Sequence, residues 1–241
     1  MENKKYTKVA GILLMTIMLT SLALAINPNG PQDLNNISTS QRQMTNPKPI
    51  NISGGEIATM NLSGIVQNVR WKAFVGNVSG TFTLDDSTGS SIYVWSITNV
   101  TGRVYASRNS STVDWPNIAC ATGGELAQEN IDMQHSNSND NISKTFNTKD
   151  HPAFYVGPTE ITEDDCYSIN TYVNNESSSS FYEMALNDNI NIIYATILEQ
   201  NEAGYNGHLY DFQMMVPENG AEGFTGSTTY YMYVELGNDI A

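Results

Sequence analysis

From residue 56 to residue 236, short runs of alternating apolar and polar residues recur about every ten residues, and Gly, Asn or Pro closes most of them. That pattern leaves few folds open. A short alternating strand buries one face and must pair with neighbours along its edges. Many such strands joined by tight turns therefore build two packed sheets or a closed one. The expected class is all-β, an antiparallel β-sandwich of jelly-roll or Ig-like type, with at most one short helix.

Residues 69–95, VRWKAFVGNVSGTFTLDDSTGSSIYVW, show the pattern most clearly, as three short strands and two turns carrying two of the 3 tryptophans. Trp71, Ala73 and Val75 would share one strand face, opposite Arg70, Lys72 and Phe74. Asp85-Asp86-Ser87-Thr88-Gly89 has the composition of a hairpin turn. Trp71 and Trp95 are expected to anchor the core. Residues 56–62, EIATMNL, alternate well enough for an earlier strand. Further strands are expected over residues 102–108, 166–173, 181–186, 192–198, 208–216 and 228–236. Residues 125–133 suit one short helix. His135, His151 and His208 are scattered, which suits surface positions better than a metal site.

The first 25 residues read as an address. Lys4, Lys5 and Lys8 precede an apolar run ending in Ala23-Leu24-Ala25, the layout of a secretory signal peptide cut after Ala25. An uncleaved anchor ranks second and a prepilin cut near Gly11 third. Residues 26–53, rich in Asn, Pro, Gln, Ser and Thr, bury too little to offset their ordering entropy and read as a flexible lead-in. Such a segment can also hand a strand to a neighbouring subunit. Residues 54–241 then form the β-sandwich domain. No membrane span is expected in the mature chain, and the expected location is secreted or cell-surface.

Charge narrows the partners. Without Glu2, Lys4, Lys5 and Lys8 the chain keeps 8 basic and 24 acidic residues, a net charge of −16. No Lys or Arg follows Lys149, while 15 acidic residues lie between Asp150 and Asp239. A field of that sign repels nucleic acid and anionic lipid. Self-association, other envelope proteins and glycans remain as partners. The two cysteines, Cys120 and Cys166, read as a disulfide in an oxidising compartment.

Chemistry-bearing motifs are sparse. Asn-x-Ser/Thr occurs at Asn36, Asn51, Asn61, Asn77, Asn99, Asn109, Asn141 and Asn175, a set that predicts at least partial N-glycosylation in a host with that machinery. No Gly-x-Ser-x-Gly elbow occurs, and no catalytic residues are assigned. A glycosidase would need facing carboxylates, for which Asp85, Asp86, Glu163, Asp164, Asp165 and Asp211 qualify by number alone. No cofactor is expected other than calcium, whose weak candidate ligands are Glu160, Glu163, Asp164 and Asp165, with Asp85 and Asp86 second. Tyr205, Tyr210, Tyr230, Tyr231 and Tyr233 crowd the C-terminal strands, where tyrosines stack on sugars, line interfaces or pack within sheets.

The succession VRWKAFVGNVSGTFTLDDSTGSSIYVW, GRVYASR, VDWPNIAC, YDFQMMVPENG and TTYYMYVEL resembles a family of archaeal secreted proteins. The resemblance spans about residues 54–236. It implies a signal peptide, one β-rich extracellular domain and an archaeal surface setting, and it brings no catalytic residues. By looser analogy, some archaeal surface filaments are built from glycosylated β-sandwich subunits. The expected function is a structural, filament-subunit or adhesion role. A carbohydrate-binding module is the alternative, and a secreted hydrolase ranks below both.

Overall fold

The structure, a computed structural model, describes residues 27–109 and 113–237. The expected signal peptide lies outside the described residues. In chain order the first strands are β1 (Trp71–Gly76), β2 (Thr81–Asp85), β3 (Ser91–Ser96), β4 (Gly102–Ser107) and β5 (Ala119–Cys120). Helices α1 (Gly123–Asp132) and α2 (Ile142–Thr145) follow. Next come the hairpin β6 (Phe154–Val156) and β7 (Thr159–Ile161), then β8 (Ser168–Val173), β9 (Glu176–Asn187) and β10 (Ile192–Ile197). The short pair β11 (Glu202–Ala203) and β12 (Leu209–Tyr210) precedes β13 (Phe212–Pro217) and β14 (Tyr231–Leu236). Strand makes up 35% of the described residues against 8% helix, so the all-β antiparallel class holds. The single-turn α2 is a second helix beyond the one expected.

A six-stranded antiparallel sheet organises the molecule, in the order β14-β4-β10-β9-β5, with β8 also on β9. β4 is buried along its whole length and β10 nearly so, which places them mid-sheet with both faces covered. Alternation divides their side chains between two cores. Val104, Ala106, Ala185, Ile192 and Tyr194 face one way, against Leu126, Ile142 and Phe146 from the helical segment and Met214 and Val216 from β13. Tyr105, Met184, Leu186, Ile193 and Ala195 face the other way, against Trp115, Ile118, Phe154, Val156 and Ile161. Burying each large apolar side chain contributes about 1.5–3 kcal/mol, so these two layers hold the body together.

Local chemistry sets the joints. A capping box starts α1: Glu125 N–H donates to Thr122 Oγ1 at 3.3 Å, and Thr122 N–H donates to the Glu125 carboxylate at 2.7 Å. Asn174 and Asn175, at φ 49° and 69°, form the two-residue link between β8 and β9, a turn that needs left-handed backbone at both positions. The Cys120–Cys166 disulfide is present, with its Cα atoms 4.7 Å apart. It ties the two segments that share one edge of β9, where Ala121 N–H donates to Ala185 O and Ala185 N–H donates to Tyr167 O.

β13 and β1 form a separate antiparallel pair with Trp71 opposite Pro217 and Gly76 opposite Phe212. Side chains of the central sheet close the inner edge of β13. Glu183 accepts the Met215 N–H at 2.9 Å, and Thr196 Oγ1 donates to Gln213 O at 3.1 Å. The expected strand over residues 208–216 is broken at Asp211. Its backbone N–H donates to Gly76 O, while its carboxylate accepts from Val78 N–H and Asn201 N–H.

Three expectations are corrected. Residues 56–62 form no strand, because among the described residues they find no pairing partner. They belong to an exposed run that extends past the expected lead-in, from residue 32 to residue 69. That run is fastened at both ends, at β1 and at Asn29, which exchanges backbone bonds of 3.1 and 2.8 Å with Val234 of β14. Second, His135 and His151 are buried, not superficial. His151 Nε2 accepts from Cys166 N–H, and His135 Nε2 bonds to Glu218 O while its ring packs edge-on against Trp71. Third, Trp71 and Trp115 pack against the cores but Trp95 does not. It is 48% exposed, because the strand that carries it stands clear of the body.

Candidate functional site: an exposed aromatic hairpin

β2 and β3 pair only with each other, and every residue of both strands is exposed. The turn between them is built by Asp86. Its Oδ1 accepts from Thr88 N–H at 2.8 Å, Thr88 Oγ1 at 2.7 Å and Ser90 N–H at 3.0 Å. Those donors, the Thr88 hydroxyl foremost, hold the Asp86 carboxyl below its ordinary pKa. Gly89 supplies the left-handed position at φ 82°. A bulge follows between Leu84 and Asp85 and leaves Ile92 of β3 without a partner opposite.

The register sorts the side chains. Phe82 lies opposite Trp95 and Leu84 opposite Tyr93, and directly opposed residues share a face. All four therefore project from one side, with the Tyr93 and Trp95 rings 4.8 Å apart. Thr81, Thr83, Val94 and Ser96 occupy the other side. Phe82, Leu84, Tyr93 and Trp95 are between 38% and 59% exposed. This amphipathic ribbon presents a contiguous aromatic face to solvent. Surfaces of that kind mark interaction sites, and an isolated two-stranded hairpin is marginal in water without a third strand or a packed face.

The root of the hairpin is fixed. Val78 N–H donates to the Asp211 carboxylate at 2.8 Å, and Gln200 Nε2 donates to Asn99 Oδ1 at 3.1 Å. At Gly80 the backbone runs so close to Leu236 that an added Cβ would fall 2.1 Å from Leu236 Cδ1. The tip points away from these anchors, which gives the ribbon a rigid base and a free end.

The remaining candidates fall elsewhere. Asp85 accepts from Thr83 Oγ1, Asp164 from His151 N–H, and Asp211 from two turn amides, so each fastens its own loop. Glu160, Glu163 and Asp165 are exposed around the turn after β7. Among the described residues no three His, Cys, Asp or Glu side chains group closely enough to hold a metal ion. Asn36, Asn51, Asn61, Asn77, Asn99 and Asn175 are exposed, and Asn109 and Asn141 are half-buried. Asn141 also caps α2 by accepting Lys144 N–H at 2.7 Å. The C-terminal tyrosines are dispersed: Tyr230 and Tyr233 pack against the two cores, Tyr231 is exposed, and Tyr205 stacks on Tyr210.

Sequence reasoning recognised this hairpin but misread its face. The alternation of Phe82 with Leu84 and of Tyr93 with Trp95 was the available signal, and a buried strand would carry the same one. One part-buried ion pair, with Glu129 buried and Arg108 reaching solvent, also escaped it. Arg108 donates to Glu129 at 2.5 Å beneath α1, where burial foremost raises the Glu129 carboxyl and also raises the Tyr194 and Tyr230 hydroxyls. Among the described residues no helix is long and apolar enough to cross a membrane. Comparison with protein-family models, with curated proteins and with solved structures found no match.

Proposed function

We propose that this chain is an exported archaeal cell-surface or extracellular glycoprotein that works by contact, as a filament subunit, structural component or adhesin, and not as an enzyme. The observation that carries the reading is the aromatic face of Phe82, Leu84, Tyr93 and Trp95, held out on a ribbon with a fixed root. Aromatic side chains of this kind dominate contact surfaces because they bury large areas with little loss of side-chain freedom. The signal-peptide pattern, the disulfide and the exposed sequons support an extracellular setting. Negative-stain microscopy and sedimentation of the purified chain, across salt and calcium, should show polymers or discrete oligomers. Strictly monomeric behaviour under all those conditions would reject the filament and structural versions.

A second reading is favoured by the same rings. Tyr93 and Trp95, with ring centroids 4.8 Å apart and planes 56° apart, offer exposed ring faces on which a sugar ring can stack, as in a carbohydrate-binding module. A glycan array separates the two. Saturable binding that Trp95→Ala abolishes supports the module, and an array without hits leaves protein contact as the role of this face.

A further inference from the structure

The ribbon lacks a third strand, and the chain holds an extended segment of strand-like sequence that lacks a partner. Residues 56–62 alternate Ala58, Met60 and Leu62 with Ile57, Thr59 and Asn61, yet they are exposed and pair with no strand among the described residues. Ile57, Met60 and Leu62 are 101%, 54% and 89% exposed. We propose that residues 56–62 of a second copy of this chain add to the free edge of β2 as the third strand of the hairpin. This deepens the reading of the chain as a self-associating surface protein and rests on it.

Several observations select that occupant and that edge. β3 carries the bulge at Ile92, which disrupts an edge for pairing, whereas β2 is regular over Thr81–Leu84. Phe82 and Leu84 of β2 then lie beside the incoming strand. Its Ala58, Met60 and Leu62 face extends the aromatic face, while Asn61 points to the opposite side, where a glycan does not obstruct the contact. Leu62 lies nine steps before Trp71, roughly 30 Å if that chain is fully extended, enough to cross to a neighbour.

Charge argues for the segment over any body-to-body contact. Residues 70–237 hold 21 acidic and 6 basic residues, a net charge of −15. Residues 31–69 hold Asp33 and Glu56 against Arg42 and Lys48, a net charge of zero. Two bodies repel each other, and the neutral segment is the part of one copy that approaches another without that penalty.

The test uses the full mature chain with its native disulfide. Protein carrying Met60→Cys or Leu62→Cys is mixed with protein carrying Phe82→Cys or Leu84→Cys under mild oxidation. The expected result is a covalent dimer in at least one mixture, at least about ten-fold above the Thr59→Cys control, whose side chain points away. No excess over that control overturns the proposal. So does a double variant, Met60→Cys with Leu84→Cys, that closes within one chain without a doubling of mass. A separate variant, Thr59→Pro with Met60→Pro, removes N–H donors from an exposed segment that contributes no strand to its own fold. Assembly should be lost while thermal unfolding is unchanged. If that variant still polymerises, the donor segment is wrong and the self-association reading survives. If the unaltered chain never associates, both fall.

Discussion

Glu183 lies mid-strand in β9 with 0% of its surface exposed, and one of its carboxylate oxygens takes the Met215 N–H at 2.9 Å. Its other oxygen is buried without a hydrogen-bond partner. Burial is the dominant influence and pushes its pKa well above the ordinary glutamate value, with the Met215 bond opposing only in part. The folded chain therefore keeps a proton that the unfolded chain releases once pH exceeds that ordinary value. The stability from this group is fully present in acid and is lost as pH rises toward the raised pKa. Glu129 and Glu199 are raised by the same cause, whereas Glu218, against the raising effect of its burial, and Asp86 are held low by hydrogen bonds and contribute in the opposite sense. Glu183→Gln keeps the shape and the acceptor for Met215 without the ionisation. Urea unfolding should show equal stability for the two proteins near about pH 3 and a gain of at least about 1 kcal/mol for the variant near about pH 8. A variant equally destabilised at both values would show that the Glu183 carboxyl is not raised by folding and matters through its fit alone.

Elements differ in how much of their stability is their own. β4 and β10 are hydrogen-bonded on both sides and buried on both faces, whereas β2 and β3 have only each other. Amide exchange should therefore be fast throughout β2 and β3 and slower by several orders of magnitude in β4 and β10, with the hairpin gaining protection only when copies associate. Uniform protection in dilute monomer would show that the ribbon is covered by its own chain. The same contrast explains what the sequence revealed. Alternation and turn residues located β1, β2, β3 and β14, and a β-branched apolar run located β10, because all of these are local properties. The helical segment was legible too, as the one short helix expected over residues 125–133. The inward packing of Trp71 was expected and holds, but the exposure of Trp95 was not legible, since both sit in the same alternating context and only long-range packing separates them. The β6–β7 hairpin was missed because strands of three residues are too short to show a period. The break at Asp211 depends on Gly76, Val78 and Asn201, which only the fold brings near.

For the whole molecule, charge and architecture pull in opposite directions. An aromatic ribbon and a neutral extended segment favour contact between copies, while a body charge of −15 opposes it. Repulsion between bodies acts over a Debye length, which shrinks from about 30 Å at 0.01 M salt to about 3 Å at 1 M. Apolar contact and backbone pairing are not weakened by that screening. Assembly should thus begin at lower protein concentration as salt is raised, by about ten-fold or more across that range, as followed by sedimentation or light scattering. Magnesium or calcium at equal ionic strength should act no differently from sodium if screening is the whole effect. A specific calcium response would instead place carboxylates such as Asp85 and Asp86, at the ribbon's own tip, in the contact between copies. Assembly that weakens with salt would require ion pairs across the interface. The cations available for such pairs are the 6 basic residues on the body and Arg42 and Lys48 of the extended segment.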